Sequence, residues 1–158
     1  VISMTGRYAF DDAGRYFTGG GNGPYYGVRW QDSDNPHSLL YLSGLLNSRL
    51  LDSCLPRVSS PFRGGYWSYG KRYIEQLPIR TIDFSDPADR AQHDKTVKLV
   101  ESMLKLHEQL AAAKTAHDKT LIQRQIDATD RQIDALVYAL YGLADEEIRI
   151  VEAAQAPA

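Results

Sequence analysis

The sequence contains a single cysteine, Cys54, and no long hydrophobic run. One thiol excludes an intramolecular disulfide framework, and the leucines on either side of it predict a buried structural thiol. No apolar stretch approaches the roughly 20 residues that span a bilayer, and no charged segment followed by an apolar one opens the chain. We therefore expect no membrane association and a cytoplasmic location.

Catalytic constellations are also missing from the sequence. The four histidines have no cysteine or carboxylate partners at metal-ligand spacing. The glycine-rich segment 19–23 lacks the lysine of a P-loop and the spacing of a dinucleotide fingerprint, and a hairpin loop is the simpler interpretation. No Asn/Asp-Pro-Pro-aromatic motif occurs. We expect no catalytic residue, no cofactor site and no metal site in this chain, which by itself is not an enzyme.

What is present is an ordinary soluble composition of 158 residues, 43% hydrophobic and 24% charged. This size suits one domain, or one small domain with a helical appendage. The chain begins at Val1 rather than at a methionine, and strand-like sequence follows at once. We expect it to be part of a longer polypeptide that holds the chemistry.

The net charge of −2 hides two unlike halves. Residues 1–84 hold nine basic against seven acidic residues and fourteen of the sixteen aromatics, whereas residues 85–158 hold nine basic against thirteen acidic residues. The sequence predicts an α+β fold. We expect residues 1–84 to form a small, mixed or antiparallel, β-rich domain with a central helix, and residues 85–158 to form a long helical hairpin with a short C-terminal helix.

The elements of the first half follow from aromatic runs and turn residues. A buried helix should begin at Pro36 and continue to Leu51, stopping before Pro56. Residues 74–79 lead into a last extended segment. We expect strands over 7–10, 15–18 and 25–30, a turn over 11–14 and a loop over 19–24.

The second half carries two heptad stripes and clear helix boundaries. Ser85 or Asp86 should cap a helix with Pro87 at its first position, and Gly142 should end the helical region. The stripes differ in phase, which predicts a hairpin turning near 115–118, although one long bent helix would also absorb the slip. A final helix should cover 145–152. The stripes are His93, Val97, Val100, Leu104, His107 and Ala111, then Ile122, Ile126, Thr129, Ile133, Leu136, Leu140 and Leu143; both histidines should pack in the interface.

Basic and aromatic residues alternate with glycine over 57–73. A DNA-binding surface needs these residue types. Cations neutralise phosphates, arginines can form hydrogen bonds to guanine, and glycines let the backbone come close to the DNA. The alternative is an ordinary strand, in which Phe62, Trp67 and one face of the stretch pack in a core. The candidate DNA-binding residues are Arg57, Arg63, Tyr66, Ser68, Tyr69, Lys71 and Arg72.

Three segments in this order resemble a known family: Leu-Leu-Asn-Ser-Arg-Leu-Leu at 45–51, Phe-Arg-Gly-Gly-Tyr-Trp-Ser-Tyr at 62–69 and Tyr-Ile-Glu-Gln-Leu-Pro-Ile at 73–79. They are similar to the TaqI-like C-terminal specificity, or target-recognition, domain of N6-adenine DNA methyltransferases and type IIG restriction–modification enzymes. The segment 133–143 resembles the end of such proteins.

The resemblance implies that residues 1–84 recognise double-stranded DNA and position an upstream methyltransferase domain of the same polypeptide. That domain would use S-adenosylmethionine, and this chain would bind no cofactor. The helical hairpin resembles the spacer helices of type I specificity subunits. The alternative from another class is a protein-interaction or assembly module, in which the hairpin is the working surface and could form a homo-oligomer.

Overall fold

The structure, a computed structural model, describes residues 2–4, 8–11, 27–31 and 34–154. Most of these residues are helical, and the helices pack around one small antiparallel sheet. In chain order the elements are β1 (Ile2–Ser3), α1 (Leu39–Leu46), α2 (Arg49–Val58), β2 (Pro61–Phe62), β3 (Tyr66–Ser68), α3 (Lys71–Ile74), α4 (Pro87–Ala112), α5 (Ala116–Tyr141) and α6 (Asp145–Ala154).

The α+β class is confirmed, but the β-rich character expected for the first half is wrong. Residues 8–10 and 27–30 form no strand, and the remainder of the segments expected over 7–30 lies outside the described residues. Aromatic residues that suggested strands pack against helices instead. The backbone of Tyr8 bonds to the Asn47 side chain, with N–H to Oδ1 and O to Nδ2 distances of 2.9 Å each. Trp30 packs against the helical core.

The buried helix expected from Pro36 to Leu51 is two helices. It breaks between α1 and α2 because Ser48 takes an extended conformation and caps α2, its hydroxyl accepting a bond from the Leu51 amide. The same hydroxyl donates to the Leu45 carbonyl at 2.6 Å. The expected stop before Pro56 is also wrong, since α2 continues to Val58 with this proline in its last turn. Nearby, Cys54 is half-buried, and burial raises the pKa of its thiol.

The helical hairpin of the second half is confirmed, but it turns at 113–115 rather than near 115–118, because Thr115 caps α5 and residues 116–118 are already helical. Asp86 caps α4 with Pro87 at its first position, and α5 begins after a three-residue turn, 113–115, that ends in the capping residue Thr115. Gly142 ends α5 with φ +66°, a left-handed conformation that favours glycine. The phase slip between the heptad stripes therefore marks the turn of the hairpin. The expected helix after 145 is α6.

The hydrophobic core crosses the predicted boundary at residue 84. Tyr41 and Leu45 of α1, Val100 of α4, and Ile133 and Val137 of α5 belong to one buried cluster. Helix α1 lies on α4, and α2 lies on α5 and α6. Within the described ranges, no helix is long and apolar enough to span a membrane. The sheet and α3 are thus carried on a helical platform.

Candidate nucleic-acid interface

The segment expected to be basic and aromatic forms a short β-hairpin. Strands β2 and β3 pair antiparallel, with Phe62 opposite Tyr66, and the turn between them passes through Gly64 and Gly65, whose φ angles are +80° and +79°. A continuous strand with alternating faces over 62–69 is therefore wrong. Glycines are needed here because other residues rarely adopt positive φ. The turn presents Arg63 to solvent.

The hairpin is fixed to the platform at its base. The Ser59 hydroxyl donates to the Ser68 carbonyl at 2.6 Å, and the Ser68 amide donates to the Ser60 carbonyl at 3.3 Å. Strand β1 extends the sheet on the other side of β3, in the order β1-β3-β2. Trp67 packs against the core, whereas its neighbour Tyr66 is exposed. One face of the sheet is thus buried and the other faces solvent.

Four cations surround this hairpin, and all are exposed. Arg57 lies in the last turn of α2, Arg63 in the hairpin turn, and Lys71 and Arg72 in α3, directly after β3. Residues 53–74 contain these four cations and no carboxylate. We call this group the basic surface. Because no carboxylate lies between these cations in the sequence, the group favours a polyanionic ligand.

Arg72 is the most constrained of these cations. Its guanidinium carbon lies 4.5 Å from the centroid of the Tyr73 ring, and the guanidinium donates to the Tyr73 hydroxyl. The Ser60 hydroxyl lies 2.6 Å from the same oxygen. The hydrogen bond with Ser60 and the adjacent Arg72 charge together lower the pKa of Tyr73. The aromatic ring therefore holds this guanidinium at the surface in a defined position.

Two of the predicted site residues lie elsewhere. Tyr69 is enclosed in the core at 6% exposure, and its hydroxyl donates to Asp52 at 3.0 Å. Burial and the Asp52 carboxylate both raise the pKa of Tyr69. Ser68 is half-buried at the hairpin base. The structure brings Arg57, Arg63, Tyr66, Lys71 and Arg72 to the exposed surface around the hairpin, whereas Tyr69 supports it from beneath.

Sequence reasoning missed a histidine pair that joins the two halves. Nε2 of His93 accepts the Ser38 amide at 3.2 Å, and Nε2 of His37 accepts the Ile82 amide at 3.0 Å. Both rings contact Phe84 edge-on at 5.1 Å. Burial and the neighbouring His93 lower the pKa of His37. The packing expected for His93 is confirmed. The hydrogen bond that its ring accepts from the Ser38 amide could not be predicted, because no periodic pattern in the sequence indicates it.

The equivalent expectation for His107 is wrong, because that side chain is exposed near the distal end of α4. Among the residues that the structure describes, no group of histidines, cysteines and carboxylates could hold a metal ion.

A second cluster missed by sequence reasoning lies between α2, α5 and α6. Asp134 is buried, and its carboxylate accepts the Arg49 amide at 2.9 Å and Arg49 Nε at 3.1 Å. Burial raises the pKa of Asp134 to about 6. The cluster borders a cavity of about 460 Å³ that Tyr138 also lines. Arg49 belongs to the Leu-Leu-Asn-Ser-Arg motif, so part of that motif has a structural role in attaching α2 to α5.

The comparisons with known proteins relate the chain to restriction–modification systems. It is similar, over nearly its whole length, to the type II restriction enzyme and methyltransferase RM.Eco57I of Escherichia coli, at 27% identity over 154 residues. The match covers 96% of this chain and 15% of that protein, so the chain spans less than a sixth of the curated relative. No protein-family model and no solved structure matches the chain.

Proposed function

We propose that this chain is the DNA target-recognition region of a restriction–modification enzyme, of the TaqI-like specificity type. It would position an upstream N6-adenine methyltransferase domain on its site. The observation that carries the proposal is the basic surface. Its four exposed cations lie around a hairpin whose turn contains two glycines, and no carboxylate lies between them in the sequence. The similarity to a restriction enzyme and methyltransferase supports it.

The geometry suits contact with duplex DNA. Arg57, Lys71 and Arg72 lie beside the hairpin base, where neutralising phosphates would release counterions and supply affinity without sequence preference. Arg63 projects from the turn, and an arginine there could address guanine O6 and N7 in the major groove. Gly64 and Gly65 leave little side-chain bulk between the backbone and the DNA. The hairpin is the part of the basic surface best placed to enter a groove.

The helical hairpin of α4 and α5 then acts as scaffold and docking surface for the upstream domain. The helical hairpin exposes little apolar area that could form an interface between two copies of the chain. Leu121 is the one large hydrophobic side chain on α4 or α5 that is highly exposed, at 44%. Helix α4 packs along α5 and against α1, which covers most of the apolar residues of the stripes. Binding by the basic surface is the better-supported function.

Catalysis belongs, in this proposal, to the upstream domain, which would hold S-adenosylmethionine and extrude the target adenine. The residues of this chain would set where the complex sits on DNA. Two side chains whose pKa values are shifted have structural partners in this chain. Asp134 and His37 accept backbone hydrogen bonds.

The test measures binding of the 158-residue chain to mixed-sequence duplex DNA by fluorescence anisotropy over a range of salt concentrations. The variant K71E/R72E reverses two charges of the basic surface. The matched control, K114E/K119E, makes the same charge change at the exposed tip of the helical hairpin. A third variant, R63E, alters the hairpin turn and leaves the stacking of Arg72 on Tyr73 intact. Circular dichroism checks that each variant is folded.

We expect the wild-type affinity to fall steeply with salt, because each phosphate contact adds about one unit to the log–log slope. K71E/R72E should weaken binding at least tenfold and flatten the slope, and R63E should also weaken binding, because it reverses one charge of the basic surface. The control should bind within about twofold of the wild type after correction for net charge. If K71E/R72E and K114E/K119E lost affinity for DNA equally, the basic surface would not be the DNA-binding site.

A further inference from the structure

The solvent-facing side of the sheet carries a row of exposed apolar side chains. Phe62 is 59% exposed, Met4 58% and Tyr66 41%. Six large hydrophobic residues are highly exposed among the described ranges, and half of them lie in this row. A cluster of exposed apolar groups on a small protein marks an interaction surface more often than an accident of packing.

Strand register places the three side chains side by side. Phe62 of β2 pairs with Tyr66 of β3, and Ser3 of β1 pairs with Trp67, so the next residue, Met4, falls opposite Tyr66. Directly opposite residues of antiparallel strands point to the same face. The Met4 methyl also lies 3.9 Å from where a Cβ on Gly65 would be. We call Met4, Tyr66 and Phe62 the apolar row.

The row contributes nothing to the hydrophobic core. The core receives Trp67 from the opposite face of β3, and Tyr69 from just beyond that strand. Arg63 follows Phe62 directly in sequence and belongs to the basic surface, as does Lys71, five residues after Tyr66. An apolar, aromatic strip among cations complements a ligand with flat apolar faces and a negatively charged backbone. Nucleic acid bases and phosphates have that combination, whereas an apolar protein surface lacks the negative charge.

We propose that the apolar row is a wedge that stacks on bases at an opened base step of the bound DNA. This inference rests on the proposed function and deepens it. Stacked bases hide their faces, so the rings of Phe62 and Tyr66 gain contact only where the duplex is kinked or a base is displaced. Apolar side chains inserted between base steps unstack and kink duplexes in this way. The basic surface holds the phosphates while the apolar row contacts the opened step.

The experiment compares two duplexes of the same sequence, one fully paired and one with a single bulged adenine that is already partly unstacked. The chain should bind the bulged duplex more tightly than the paired duplex, because the bulge is already partly unstacked and less free energy is needed to open it. Stacking on aromatic rings is strong enough to expect a preference of about tenfold for the wild-type chain. Both titrations are run at several salt concentrations.

Two variants remove the rings. F62A/Y66A should lose the preference for the bulged duplex while retaining the salt slope of the wild type. F62L/Y66L keeps apolar bulk in the strands and should lose most of the preference as well, which guards against a folding defect in the alanine variant. The matched control, L121A/I150A, removes exposed apolar groups elsewhere and should leave the ratio unchanged. K71E/R72E should weaken binding to both duplexes and keep their ratio.

The outcomes separate this inference from the proposed function. Salt-dependent binding with no preference for the bulged duplex, or a preference that survives in both ring-free variants, overturns the wedge and leaves target recognition standing. Absence of salt-dependent DNA binding overturns both. A wild-type chain that is dimeric in sedimentation, and monomeric as F62A/Y66A, would show that the row joins two copies and would overturn the wedge.

Discussion

Two tyrosine hydroxyls, of Tyr41 and Tyr141, hold residues 78–80 at the end of the Gln-Leu-Pro-Ile motif. The Tyr141 hydroxyl donates to the Pro78 carbonyl at 2.6 Å and accepts the Arg80 amide at 3.0 Å, and the Tyr41 hydroxyl donates to the Arg80 carbonyl at 2.8 Å. Burial raises the pKa of Tyr141. These bonds satisfy the backbone of a segment that has no regular secondary structure, and they join α1 and α5 through it.

The variant Tyr141→Phe should therefore lower the free energy of unfolding by about 1–3 kcal/mol, because it leaves a backbone donor and a backbone acceptor without their partner. Urea denaturation followed by circular dichroism measures the change. Tyr138→Phe is the matched control on the same helix. The Tyr138 hydroxyl is buried without a hydrogen-bond partner among the described residues, so its removal should be neutral or slightly stabilising. Equal effects of the two substitutions would contradict this assignment.

Asp134 makes stability depend on pH. Burial raises its pKa in the folded protein to about 6. The hydrogen bond and charge of Arg49 lower this pKa, and the charges of Asp130 and Glu152 offset part of that lowering. A raised folded pKa means that the folded state favours the protonated carboxyl. The stabilisation is complete below about pH 4 and is lost as pH rises through about 6.

Relative to Asp134→Asn, the wild type should lose about 1–3 kcal/mol of unfolding free energy between about pH 4 and about pH 7, and the difference should be constant above that range. Urea titrations of both proteins at half-unit pH steps measure it, and the comparison cancels titrations that the two proteins share, such as that of His37. A wild type that gains stability over this interval would show that the Arg49 ion pair dominates and would reverse the assignment.

At the scale of elements, Gly44 sets the spacing of α1 and α4. A Cβ at this position would lie 2.9 Å from Val100 Cγ2 and 3.0 Å from Thr96 Cγ2, closer than real Cβ contacts allow. Gly44 is buried, and both methyl groups belong to branched side chains of α4 that are also buried. The two helices are in contact at this crossing because the α1 residue has no side chain.

Gly44→Ala should destabilise the protein by about 1–2 kcal/mol, since overpacking at the crossing outweighs the better helix propensity of alanine, about 1 kcal/mol. Chemical denaturation measures the cost. A double-mutant cycle with Val100→Ala tests the mechanism, because removing the Val100 methyls makes room for the new Cβ. The two substitutions together should cost less than their sum. If the two free-energy changes were additive, the strain caused by Gly44→Ala would not come from contact with Val100.

The helix boundaries of the second half were predictable because their signals are local. Asp86, Pro87 and Gly142 act through their own backbone or through residues within a turn of it. The cap at Thr115 was not predicted. The break at Ser48 was not predicted, although serine is a favoured cap. A single run of leucines is compatible with one helix or two, and the choice depends on where α2 meets Asp134 of α5.

At the scale of the whole molecule, the recognition half and the helical half share one core. Residues 1–84 and 85–158 as separate domains remain a prediction. The core nevertheless joins Tyr41 and Leu45 to Val137 of α5, and the His37–His93 pair links the same two halves. In the proposed function, this shared core would hold the basic surface in a fixed position relative to the helical hairpin.

We predict that the 158-residue chain transfers no methyl group. Purified chain incubated with duplex DNA and labelled S-adenosylmethionine should leave the DNA unlabelled, while an adenine methyltransferase assayed in parallel labels it. The physical reason is that the proposed function assigns both the methyl-donor site and the base-flipping pocket to the upstream domain. Incorporation above background that follows the chain through purification would overturn the non-catalytic assignment.

The sequence by itself determined the α+β class, the start of the helical region at Asp86 and Pro87 and its end at Gly142, and the concentration of cations over 57–73, because each depends on composition or on neighbours within a few residues. The tertiary structure decided that the helical region is a hairpin rather than one bent helix. It also decided which of the residues over 57–73 reach solvent. Tyr66 and Tyr69 are three positions apart in one aromatic run, yet one is exposed and the other buried against Asp52. Alternation along the chain places Tyr66 on one face and Trp67 and Tyr69 on the other, but the sequence does not say which face is buried. Packing against distant helices decides that, because one face of the sheet lies on the core.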